Sequence, residues 1–228
     1  MHGHRDGENP ARWRGHLAHK LPETARIAKV THHAALPYAE LPQFMIELRE
    51  RDGFGTRALA FLILTAARTS EVTGARWDEI DWDNSTWTIS AERMKAGREH
   101  RVPLSPDAVA LLKALPTEQG NDFVFLGSAA GRGISDMTMT KTLTRMGRRV
   151  TVHGFRSTFM DWAHECANFD KIVIDMALAH AVGDRVEAAY RRGDLIQKRR
   201  RLLDAWSRYC SGVPTGTGKV LPMKRGRR

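Results

Sequence analysis

The sequence predicts an α+β fold that is mainly α, a helical domain carrying a small three-stranded antiparallel sheet. Three observations lead there. Apolar residues recur at helical spacing through most of the 228 residues. One stretch after Trp77 changes to short alternating runs divided by turn residues. Beyond it helical spacing returns, cut by Gly, Asn and Asp signals.

Residues 1–35 mix Arg, His, Gly and Pro without periodicity and read as a linker or the remnant of a preceding domain, in which Asn9 and Pro10 can open a short helix. A first helix begins at Leu41-Pro42, carries Phe44, Met45 and Leu48 on one side and ends near Asp52-Gly53. Residues 56–68 are apolar nearly all round (Ala58, Leu59, Phe61, Leu62, Ile63, Leu64), the pattern of a core helix. A short helix opens at Thr69-Ser70, whose hydroxyls can accept from the free donors of its first turn, so Arg68 falls at a helix junction. Strands follow at 79–82, 86–89 and 101–104, and the connection between the second and third carries Lys95 beside Gly97.

Ser105-Pro106-Asp107 caps a helix reaching Leu115, and Phe123-Val124-Phe125 reads as an isolated buried strand or extended segment. Further helices are expected at 135–147, 154–166, 170–179, 184–192 and 195–210. The last sets Leu195, Leu202, Leu203, Trp206 and Tyr209 on one side and Lys198, Arg199, Arg200 and Arg201 on the other. It therefore packs on its own core or on a neighbouring subunit. Residues 213–228 hold too little apolar content to fold alone and read as a basic flexible tail. The organisation is thus a leader, 1–35, a main domain, 36–212, and a tail, 213–228.

Composition excludes several classes. With 42% hydrophobic and 27% charged residues, the chain has the make-up of an ordinary soluble globular protein. No apolar run approaches the roughly 18 residues that span a bilayer. Met1-His2-Gly3-His4-Arg5 lacks the apolar core of a secretion signal, so the expected location is the cytoplasm, with no membrane partner. Cys166 and Cys210 are too few and too far apart for a disulfide framework or zinc site, and read as reduced, partly buried thiols. His2, His4, His16, His19, His32 and His33 have no cysteines or carboxylates at ligand spacing, so no metal is expected.

The formal net charge is +10, and its placement matters more than its size. From Arg191 to Arg228 there are 12 basic and 2 acidic residues, so residues 1–190 hold 24 of each. A basic end attracts phosphate without sequence preference, yet such runs are equally common as solvated segments.

Cleaving a phosphodiester without a metal requires cations for the non-bridging oxygens, a nucleophile, and an acid for the leaving oxygen. Five separated pieces supply that set. In Thr65-Ala66-Ala67-Arg68-Thr69-Ser70-Glu71, Arg68 can offer phosphate a planar fork oriented by Glu71, or the two can form a helix-junction ion pair. In Met94-Lys95-Ala96-Gly97, Lys95 is a long proton donor or a solvated turn lysine. In His153-Gly154-Phe155-Arg156, His153 and Arg156 share one helical face at a helix start. The remaining pieces are Leu178-Ala179-His180 and Glu187-Ala188-Ala189-Tyr190-Arg191. Flanked by alanines, Tyr190 is sterically open to attack or is a packing residue; Tyr38 and Tyr209 look structural.

Arg68, Lys95, His153 with Arg156, His180 and Tyr190, in that order, resemble the catalytic signature of the tyrosine recombinases, or phage integrase family. The flanks Asn9-Pro10-Ala11-Arg12-Trp13, His33-Ala34-Ala35-Leu36-Pro37-Tyr38 and Ala188-Ala189-Tyr190-Arg191-Arg192 are similar to those of bacterial prophage and genomic-island integrases. The resemblance covers residues 30–210 and rests on five motifs recurring in order. It departs at Ala179, where many relatives have Gly, a change expected to leave the chemistry intact.

The resemblance implies the tyrosine recombinase catalytic fold and site-specific recombination of DNA through a 3′-phosphotyrosine. In it Arg68 and Arg156 clamp the phosphate, His153 and His180 assist, Tyr190 attacks, Lys95 protonates the leaving oxygen, and Glu71 orients Arg68 or the His153 region. No cofactor or metal is implied. The implied partners are double-stranded DNA attachment sites, a homotetramer on that DNA from a monomer or weak oligomer, and accessory DNA-bending or directionality proteins. Residues 1–35 would then be the linker or remnant of a core-binding domain, and the chain a catalytic fragment. Two other readings compete: DNA relaxation of the type IB topoisomerase kind, and a non-catalytic DNA-binding domain.

Overall fold

The computed structural model describes residues 9, 12, 17, 33–180 and 194–212. The chain divides into two units, Met1–His33 and Ala34–Arg228. In the first, the Arg12 N–H donates to the Asn9 carbonyl at 3.0 Å and the Leu17 N–H to the Arg12 carbonyl at 3.1 Å.

The second unit is mainly helical. Helices α1 (Leu41–Arg49), α2 (Phe54–Thr65) and α3 (Thr69–Thr73) precede strands β1 (Ile80–Asp81), β2 (Thr86–Ile89) and β3 (His100–Pro103). Then come α4 (Pro106–Lys113), α5 (Met137–Arg145), α6 (Gly154–Glu165), α7 (Lys171–Ala177) and α8 (Ile196–Cys210). The strands form one antiparallel sheet in the order β1-β2-β3, with Trp87 opposite Ile80 on one side and Val102 on the other. The helix expected at 184–192 and the tail 213–228 lie outside the described residues. No described helix is long and apolar enough to cross a membrane.

α2 is the hub. Its apolar residues point in every direction, which suits a helix surrounded by α1, α4, α5 and α8. Phe61 packs against Trp87 and Phe125 at centroid distances of 5.3 and 5.6 Å. Burying a side chain of this size stabilises the fold by about 1.5–3 kcal/mol. The helix stops at Thr65, short of the expected residue 68, because Ala66 turns left-handed at φ 52°.

Two expectations need correction. The start of α3 is capped by Glu71, whose Oε2 accepts from the Arg68 N–H at 2.8 Å, and not by the hydroxyls of Thr69 or Ser70. A carboxylate three residues into a helix reaches back to the free donor and complements the helix dipole there. Arg199 does not stand on the solvent face of α8. It is 2% exposed and donates from Nε to the Asp194 carbonyl (2.7 Å) and from Nη1 to the Arg101 carbonyl (2.5 Å). α8 packs on its own core, where the Trp206 indole donates to the Ile63 carbonyl at 2.7 Å. The thiols differ from each other: Cys166 is exposed and Cys210 is buried.

Residues 123–125 form an extended segment rather than a strand, bridging Arg76 at Phe123 and donating from Val124 to the Ala75 carbonyl at 2.9 Å. At the start of α6, the Ala34 carbonyl presses on Gly154. A Cβ there would lie 2.2 Å from that oxygen, so glycine is required between His153 and Arg156.

Candidate active site

Three helix ends meet at one place. α2 ends in Ala66, α3 begins after Arg68, and α7 ends in a turn whose Ala179 is left-handed at φ 49°. The turns point main-chain carbonyls towards Arg68 and Arg156. Arg156, 5% exposed on α6, donates from Nη1 to the Ala66 carbonyl (2.5 Å) and from Nη2 to the Leu178 carbonyl (2.6 Å). Arg68 donates from Nη2 to the carbonyls of Leu178 (3.4 Å) and Ala179 (3.3 Å). Two guanidinium forks thus converge on the Leu178 oxygen.

Glu71, 2% exposed, fixes the Arg68 fork through Nη1 to Oε1 at 2.8 Å. Of the two orientations open to it in the sequence, it takes the one towards Arg68. Burial, and after it the positive charge of Arg68, pushes the Arg156 guanidinium down to about 10, so it stays charged at neutral pH. His180 completes the cluster, with Nε2 3.4 Å from Arg156 Nη2 and Nδ1 3.6 Å from the Asp175 carboxylate. Burial and the facing Arg156 lower its pKa, against a smaller opposing pull from Asp175.

His153 is exposed at the residue that precedes α6. Lys95 is exposed on the connection between β2 and β3 and is not drawn into the arginine cluster among the described residues. Its segment is anchored nonetheless. Arg93, two residues earlier, pairs with Glu79 and donates to the Glu71 carbonyl at 2.7 Å, tying the Lys95 connection to the helix of Arg68. Tyr190 lies outside the described residues. The other two tyrosines are engaged elsewhere: the Tyr38 hydroxyl donates to Glu165 at 2.7 Å and that of Tyr209 to the Tyr38 carbonyl at 3.0 Å.

Sequence reasoning missed Asp175, Arg93 and His100. Asp175 stands five residues before His180, and only the left-handed turn at Ala179 brings the two together. Arg93 carried no signal beyond its nearness to Lys95. His100, on β3, is half-buried, and burial pushes it down to about 4, so it is neutral beside the cationic site.

The convergence of two arginine forks and an imidazole edge suits an anion with several oxygens. The family model described as the phage integrase family matches residues 36–194, a span that contains all five motifs. The chain belongs to this family. It is 35% identical over 184 residues to prophage integrase IntA of Escherichia coli (strain K12), covering 78% of this chain and 44% of IntA. To prophage integrase IntZ of the same organism it is 34% identical over 205 residues, 88% of this chain and 51% of IntZ. This phage integrase family chain thus spans about half the length of these relatives. In fold it is similar to the integrase from mycobacterium phage Brujita, with a TM-score of 0.59 at 18% identity over 82% of this chain and 64% of that one.

Proposed function

We propose that the chain is the catalytic part of a site-specific DNA recombinase that works through a covalent 3′-phosphotyrosine. The observation that carries this is the convergence of Arg68 and Arg156 on one oxygen, with His180 Nε2 3.4 Å from Arg156. Family membership supports the same reading. Residues 36–212 act as the catalytic domain, 1–35 as a linker or the remnant of a core-binding domain, and 213–228 as a basic tail.

In this reading a non-bridging oxygen of the scissile phosphate takes up the arginine forks, which stabilise the added charge of the pentacoordinate transition state. One such donor contributes about 10²–10³ in rate. His153 and His180 bond the same oxygens or assist proton transfer. Tyr190 attacks phosphorus as its hydroxyl proton passes to one of these histidines, the bond from tyrosine oxygen to phosphorus forms, and the bond to the 5′ oxygen breaks as Lys95 protonates it. A 5′ hydroxyl from another strand reverses the step. The phosphotyrosine ester conserves the bond energy, so the exchange needs neither ATP nor a metal. The partners are duplex attachment sites in the bacterial cytoplasm and three further copies of the chain on that DNA, with accessory bending or directionality proteins.

The test is incubation with a nicked duplex carrying the attachment site, followed by denaturing electrophoresis. A denaturation-resistant protein–DNA adduct is expected, and Tyr190→Phe abolishes it. No adduct from the wild-type chain overturns the proposal, and plasmid relaxation without strand exchange would favour topoisomerase chemistry.

A further inference from the structure

His180 is held from both sides. Its backbone N–H donates to the Asp175 carbonyl at 2.9 Å, closing the turn after α7, and its Nδ1 lies 3.6 Å from Asp175 Oδ1. The same carboxylate is paired with Lys171 at 2.6 Å through its other oxygen, and its side chain is 15% exposed. On the opposite edge of the ring, Nε2 faces Arg156 Nη2 at 3.4 Å. A guanidinium has donors only and a carboxylate acceptors only. Between those two neighbours a neutral imidazole has one satisfying tautomer: the proton on Nδ1, towards Asp175, and the lone pair on Nε2, towards Arg156.

Resting on the recombinase reading, we propose that Asp175 is a positioning residue for His180: its carboxylate fixes the Nδ1–H tautomer and so presents Nε2, beside Arg156, to the scissile phosphate. Without DNA, Nε2 accepts from Arg156. When a phosphate occupies the forks, Nε2 gains a partner of opposite sign, which favours its protonation. Asp175 is then the counter-charge of the imidazolium, and a proton taken up by Nε2 is returned by the same atom. The charged groups facing the ring from the packed helices are Asp175 on α7, Arg156 on α6 and Arg68 at the start of α3, with Lys171 behind Asp175.

The distinguishing measurement is the tautomer. In the full chain labelled with ¹⁵N-histidine, two-bond nitrogen–proton spectra, with His180 assigned by its loss in His180→Gln, should show the Nδ1–H form. Asp175→Ala should shift it towards Nε2–H. Asp175→Asn, which keeps an acceptor but loses the charge, should keep the tautomer and lower the His180 pKa further. Asp175→Glu serves if the alanine variant does not fold. An Nε2–H wild type, or a tautomer indifferent to Asp175, overturns the proposal.

Adduct formation gives a second readout. Asp175→Ala should slow it about tenfold or more, as loss of an imidazole's orienting partner does elsewhere, and Asp175→Asn should slow it less. In a His180→Gln background Asp175→Ala should add nothing; an equal further loss there would mark a merely structural residue. A wild-type chain that forms no adduct defeats the recombinase reading, while the spectra still decide for or against Asp175.

Discussion

Ala179 occupies a backbone conformation that L residues rarely adopt, φ 49°, and its carbonyl accepts from Arg68. The left-handed region costs a residue with a Cβ about 1–2 kcal/mol. Glycine avoids that cost but brings about 0.5–1 kcal/mol of extra freedom to the unfolded chain. Ala179→Gly should therefore stabilise the protein by about 1 kcal/mol, or about 2–4 °C in Tm for a domain of this size. Thermal melting checks it, and an unchanged or lowered Tm would refute it. The sequence marks Ala179 as a departure from the family pattern and treats it as chemically silent. In the structure this position meets Arg68 through its carbonyl, which alanine and glycine share.

At the scale of elements, α8 is the instructive one. Its apolar stripe is plain in the sequence, but residue type places Arg199 on the opposite side with its basic neighbours. Spacing argued otherwise, since Arg199 precedes Leu202 and Leu203 by three and four residues and so shares their face. Charge type outweighed periodicity, and what the sequence could not display was the pair of carbonyls waiting for a buried guanidinium. Arg199→Met should cost about 2–3 kcal/mol, because it takes the guanidinium donor from the carbonyls of Arg101 and Asp194. Arg201→Ala, at an exposed position, should stay within about 0.5 kcal/mol. Urea denaturation of the two variants separates them, and equal midpoints would contradict the docking role. The strands and the other described helices are legible because alternation and helical spacing are local. The stop of α2 at Ala66 was not, since nothing in an apolar run announces a left-handed residue.

Over the whole molecule, charge and chemistry are separated along the chain. Residues 1–190 are neutral by count, and the excess begins at Arg191, after the proposed nucleophile. Arg199 is already spent on internal partners, so the solvated excess is smaller than the formal figure. Replacing Lys219, Lys224, Arg225, Arg227 and Arg228 by glutamine should weaken binding to random duplex. The slope of log affinity against log salt should fall by up to about 4.5, at about 0.9 per phosphate contact released. A slope that does not move would show that the tail stays clear of DNA. Legibility of the site follows the same division. The cations and histidines could be read as residue types in order, whereas Asp175 and the carbonyls of Ala66 and Leu178 depended on three helix ends meeting in space.

Those carbonyls give the resting protein an occupant of its own. Arg68 and Arg156 already hold main-chain oxygens at 2.5–3.4 Å. Under the proposed function, a phosphodiester that uses these same N–H groups enters by exchange. Wherever a phosphate oxygen displaces a carbonyl, a bond from a charged donor to a neutral acceptor is replaced by one to a charged acceptor, so the net gain is the difference between the two. On the proposed reading, a strand displaced by an ångström would surrender the old bonds without completing the new, so selection for register is expected from a contest between backbone and DNA for the same donors.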